Sequence, residues 1–112
     1  MKTNRTEIKM FPTYESTDRN YSPDPEFVAR VNPDNQYLYH KSHLAHLKLI
    51  RETSPDRDER DRTRDQVDFV LDRLEFWSKR TVNASYVVEQ IQKIDMETRR
   101  QIIKRALNKK IA

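Results

Sequence analysis

Three histidines, His40, His43 and His46, are the side chains in this sequence whose type and spacing come nearest to site chemistry. Imidazoles bind transition metals and move protons near neutral pH. Their i, i+3, i+6 spacing, however, fans them over roughly 120° of a helix. Three rings so placed do not meet at one ion, and no nearby carboxylate or thiol pattern completes a site with two. No metal is expected. His40 falls on the apolar side of its helix and is read as a partly buried polar neighbour, His43 and His46 as surface residues. Acid–base catalysis finds no better support, because nearly every carboxylate has a base one to four positions away. That arrangement favours ionised surface pairs over perturbed acids. Serine and histidine lack the turn chemistry that exposes a nucleophile. No catalytic residue, cofactor or small-molecule substrate is expected, and the chain is read as a non-enzyme.

Composition closes further routes. The 112 residues contain no glycine, which removes the phosphate-binding loop, the dinucleotide-binding turn, the nucleophile elbow and the Asn-Gly hairpin. Helices joined by capped turns remain easy to build. The absence of cysteine excludes disulfides, thiolate zinc sites and thiol nucleophiles. With 35% hydrophobic and 36% charged residues, the chain has room for one domain with a small core and an ionic surface. No run has the apolar length of a membrane span or signal-peptide core, so an intracellular, soluble protein is expected.

Anion binding is the second chemistry to weigh. The net charge of +4 is the sum of +1 over residues 1–53, −3 over 54–98 and +6 over 99–112. The whole surplus therefore lies in a terminal helix, with Arg100, Lys104, Arg105 and Lys109 on its outer face. Such a face suits phosphates, acidic protein or anionic headgroups. Bases near a helix C-terminus are also favoured by the helix dipole alone.

These residues must be carried by helices. Ser22-Pro23-Asp24, Asn32-Pro33-Asp34 and Ser54-Pro55-Asp56 repeat one order: a capping side chain, proline at the first helical position, then an acid. The first opens only a short turn in PEFVARV. The second opens a helix with one arc of Tyr37, His40, Leu44 and Leu47 and another of Leu38, Ala45 and Leu49. The third opens a helix whose start, DRDERDRTRD (56–65), has no apolar residue and pairs Asp56–Arg60, Arg57–Asp61 and Asp58–Arg62. That start should project as a charged prong.

The segment DQVDFVLDRLEFWSKR (65–80) is where the chain should be organised. Val67, Val70, Leu71, Leu74 and Trp77 form one stripe, while Phe69 and Phe76 point nearly the other way. Those two rings are candidates for a partner's groove, or for cover by the preceding helix. Asn83 or Ser85 caps a third helix. Asp95 is expected to cap a fourth, which turns Met96, Ile102, Ile103, Ala106 and Leu107 inward. The stretch from Tyr86 to Leu107, about a fifth of the chain, resembles the paired-helix BESS interaction motif in its apolar rhythm and in an arginine after the turn. No family is assigned from it.

The sequence thus predicts an all-α fold: a small bundle of helices over about 33–52, 55–80, 84–94 and 96–109. Residues 1–31 form an extended, disordered arm and 32–112 the helical domain. Phe11, Tyr14, Tyr21 and Phe27 are expected to anchor the arm on a partner. The functional expectation is a structural or accessory subunit of a larger assembly. It docks through that arm and an apolar helix face, with protein subunits as partners. The alternative is a basic helical module making non-specific RNA or DNA contacts, built around a helix-turn-helix outline at Ile94-Asp95.

Overall fold

The computed structural model describes residues 21–111, with side chains through Asn108. Four α-helices follow in order: α1 Pro25–Arg30, α2 Pro33–Thr53, α3 Arg57–Ser78 and α4 Ala84–Ile111. The all-α class agrees with the sequence reading, and four helices are present, but not the same four: Pro25–Arg30 is expected only as a short turn, and α4 unites two expected helices. Residues 1–20, which hold most of the expected arm, lie outside the described residues.

The three proline-containing signals start helices in two different ways. At α2 the Asn32 side chain caps as expected, accepting from Asp34 N at 2.8 Å and Asn35 N at 3.3 Å. At α1 and α3 the acid, not the serine, is the cap. Asp24 accepts from Glu26 N and Asp56 from Asp58 N. For α1 the reason lies in the next residues, since Asp24-Pro25-Glu26 repeats the cap–proline–acid order one step on. For α3, Asp56 and Glu59 stand at capping-box spacing with a hydroxyl interposed. Asp56 N donates to Ser54 Oγ at 3.1 Å, and that hydroxyl donates to Glu59.

The charges of this stretch are largely exposed as expected, at Arg57, Asp58, Asp61, Arg62, Arg64 and Asp65, but it is tied to the α2–α3 connection. Arg60 turns back to the Ser54 carbonyl at 2.8 Å, and Thr63 is buried. The ion pair seen in the stretch is Arg64–Asp61, at 3.8 Å and exposed, rather than the three i,i+4 pairs.

The organising helix is α2, not α3. It packs against α3 on one side and α4 on the other, while α3 and α4 make almost no direct contact. The two apolar arcs of α2 account for this, because each serves a different neighbour. On the α3 side, Leu47, Val70 and Leu74 form the core, joined by partly buried Tyr37, Leu44 and Val67. Trp77 and Val70 are fully buried, and four of the five expected stripe residues face inward. Leu71 is instead exposed.

The α4 side is fixed at both ends. Buried Asp34 accepts from Val82 N at 2.8 Å and Asn83 N at 3.1 Å, so its carboxylate holds the connection that leads into α4. At the far end Arg105 donates to Thr53 Oγ1 at 3.1 Å. Two such anchors make α4 run parallel to α2. Replacing Asp34 by Ala leaves two main-chain donors without their charged acceptor. It should cost about 1.5–3 kcal/mol, and Asp34→Asn roughly half as much. Urea unfolding of the three proteins measures this; equal midpoints would mean that the clamp contributes nothing.

The sequence reading divides residues 84–109 at Asp95; the structure does not. Helix α4 is continuous over 28 residues. Asp95 is exposed in mid-helix, and no glycine or proline stops the chain near Ile94. The stripe that meets α2 (Val87, Ile91, Ile94, Thr98 and Ile102) keeps helical spacing straight through the expected turn. Thr98 Oγ1 bonds back to the Ile94 carbonyl at 2.9 Å. The turn behind the helix-turn-helix outline and the paired-helix resemblance is therefore absent.

Candidate docking surfaces

Of the aromatic side chains expected to reach a partner, the four described ones are turned onto the chain itself. The Tyr21 hydroxyl accepts from Trp77 Nε1 at 3.1 Å, and its ring meets Phe76 edge-on at 5.3 Å and His40 at 6.1 Å. Arg73 covers the Tyr21 ring at 4.6 Å, and Arg80 covers Phe76 at 3.7 Å. Phe27 reaches Trp77 from α1 with ring centroids 6.3 Å apart. Trp77 explains the difference. An indole buried at the end of α3 needs a hydrogen-bond acceptor and a lid, and Tyr21 with α1 provides both. Phe69, expected at a partner groove, is 4% exposed and has no surface to offer. Phe76 is half-buried beneath Arg80. Phe11 and Tyr14 lie outside the described residues.

The histidines also depart from expectation. His40 is buried as anticipated, but His43 is more so, at 1% exposed, and only His46 is at the surface. Burial lowers the His40 imidazole to about 4, with the Arg73 guanidinium acting in the same direction. His43 is also lowered to about 4, by burial first and then by His40, His46 and Arg73. Burial lowers His46 as well, aided by Arg105 and opposed by Glu59. Both buried rings are therefore neutral structural groups at pH 7. Among the described residues no three His, Cys, Asp or Glu side chains gather where they could hold a metal ion, and no helix is long and apolar enough to cross a membrane.

What remains at the surface is α4. Val87 is its one buried apolar side chain among the described residues. Met96, Ile103 and Leu107, expected inside, are 64%, 52% and 53% exposed. At i, i+7 and i+11 they form one strip within about 40° of arc. Arg100 and Lys104 flank this strip, both exposed as expected. Arg100 pairs with Glu97 at 2.8 Å. Arg105, expected to face an anionic partner, instead reaches Thr53, and the Lys109 side chain lies outside those described. The chain matches no protein-family model, no curated protein and no solved structure. Function therefore has to be argued from these surfaces. The strip opens beside Met96, Arg99, Arg100 and Ile103 into a hollow of about 320 Å³. Its apolar centre and cationic edges suit a protein surface with an apolar ridge and acidic flanks.

Sequence reasoning missed this strip because it folded the same residues inward around a turn at Asp95. The signal that could have found it is the continuity of the Val87-to-Ile102 stripe. Once that face belongs to α2, Met96, Ile103 and Leu107 are left outside.

Proposed function

We propose that this chain is a non-enzymatic accessory subunit of a larger macromolecular assembly, and that the outer face of α4 is its principal docking surface. The observation that carries the reading is the mismatch in α4 between length and burial. Among the described residues of this 28-residue helix one apolar side chain, Val87, is buried, while three large ones stand in a row more than half exposed. Scattered surface hydrophobics are ordinary, whereas aligned ones rimmed by charge mark an interaction site. The reading keeps the apolar helix face of the sequence analysis but moves it from Phe69 and Phe76 to Met96, Ile103 and Leu107. Nucleic acid is the second reading. Its support is that Arg99, Arg100 and Lys104 lie exposed along one unbroken helix. The apolar strip between the bases favours protein.

A native mass measurement on the chain purified from its source tests the proposal. The wild type should run in a stoichiometric complex that survives nuclease treatment. Met96→Asp/Leu107→Asp should leave folding stability within about 1 kcal/mol, as exposed positions do, and release the chain from the complex. A wild-type chain that runs alone contradicts the reading, and release of its partners by nuclease would favour nucleic acid.

A further inference from the structure

The open layer of three long helices leaves a second surface. Because α3 and α4 both pack on α2 but scarcely touch each other, a groove of about 560 Å³ runs along α2 between them. Leu44 and Ala45 from α2, Val67 from α3 and Ile102 from α4 give it an apolar lining. Its charged groups are mostly cationic: Lys41, Lys48 and Arg51 along the α2 floor and Arg99 on α4, against Asp95 alone. None of these four bases makes an ion pair with another described residue.

We infer that this groove receives an acidic amphipathic helix from a partner protein, which takes the vacant place of a four-helix bundle. Two features point to a helix rather than to a compact anionic ligand. Lys41 and Lys48 stand a heptad apart, so positive charge is spread along the groove and not gathered at one end. The α2 side of the groove reaches from Lys41 to Arg51, a rise of roughly 15 Å, which is a length that a helix of three turns can follow. The chain's own segments fit poorly. Residues 1–20 carry four bases and three acids, a net +1. The acid-rich stretch 56–65 has no apolar residue to enter the groove. Neither of these two segments, in the same chain or in a second copy, therefore suits the groove. Nucleic acid would leave the apolar lining without a use.

The inference rests on the accessory-subunit reading and adds a second contact to it. Its test is separate: selection of a displayed library of helical peptides, about twenty residues long and of varied charge, on the immobilised full chain. The enriched sequences should place acids beside a heptad of apolar residues. They should lose at least about tenfold in affinity on Lys48→Glu/Arg51→Glu, whose side chains line the groove and not the outer strip of α4, and little on Lys104→Glu, which lies outside the groove. Thermal melts of both variants should match the wild type, because all three side chains are exposed. The inference is overturned by any of four results. These are no enrichment over bare support, enrichment of neutral or basic peptides, equal binding by the Lys48→Glu/Arg51→Glu variant, or displacement of the peptides by a short single-stranded RNA at physiological salt. Should the selection fail while the Met96→Asp/Leu107→Asp variant still leaves its complex, the groove assignment is wrong and the subunit reading stands. Should the selection succeed on a chain that runs alone in its source, the subunit reading is wrong and the groove remains a peptide-binding site.

Discussion

Acidification from pH 7 to pH 4 should cost this chain about 3–5 kcal/mol of folding stability through two neighbouring histidines taken together. His40 and His43 are held at about 4 in the folded chain, against 6.5 for a free imidazole. Between those values the unfolded state binds protons that the folded state refuses. The stabilising contribution is therefore complete above pH 6.5 and is lost as pH falls toward 4. The causes are local. The ring of His40 lies between Tyr21 and Tyr39, and that of His43 is almost wholly buried, with the Arg73 charge opposing protonation of both. A domain of this size has a total stability of only about 5–15 kcal/mol, so a loss of this size is a large fraction of it. Urea unfolding at pH 7.5, 6, 5 and 4 should give falling midpoints in the wild type and a shallower fall in His43→Leu. A midpoint unchanged from pH 7 to pH 5, or imidazoles titrating near 6.5 by NMR in the folded protein, would contradict the burial of these rings.

Trp77→Ala should be the most damaging single substitution, at about 3–5 kcal/mol. The indole is fully buried, meets Phe76 at 5.0 Å and Phe27 at 6.3 Å, and donates to Tyr21. Its removal opens a cavity and also unfastens the segment before α2, since Tyr21 and Phe27 lose their shared contact. Two measurements should move together: a lower urea midpoint and faster amide exchange over residues 24–31. Trp77→Phe refills part of the space but cannot donate to Tyr21, so it should fall between the wild type and Ala. A loss below about 1 kcal/mol for Trp77→Ala would mean that the aromatic cluster is not part of the core.

The extent to which this fold can be read from sequence depends on local signals. Pro33 after Asn32 and the apolar spacing from Val67 to Trp77 act within a few residues, and the helices they announce are present. Tertiary choices were harder. Whether Tyr21 and Phe27 meet a partner or Trp77 depends on where the start of the chain lies against α3, and no periodicity encodes that. Local sequence presents Asp34 only as an acid at a helix start, whereas its bonds to Val82 and Asn83 span 48 and 49 residues. Asp95 misled for a different reason. An acid before an apolar run has the appearance of a cap, yet the neighbouring residues, free of glycine and proline, continue the helix. That single choice decided whether Met96, Ile103 and Leu107 belonged to the core or to the surface.

Oxidative footprinting of Met96 tests the central claim most directly, because its side chain is the most exposed of the strip. In the isolated chain Met96 should oxidise at the rate of a freely accessible methionine. In the assembly purified from its source, it should be protected at least about tenfold, since burial at an interface core excludes the solvent that carries the oxidant. Equal oxidation of Met96 in the free chain and in the intact assembly would show that α4 keeps its outer face in water and is not the docking surface.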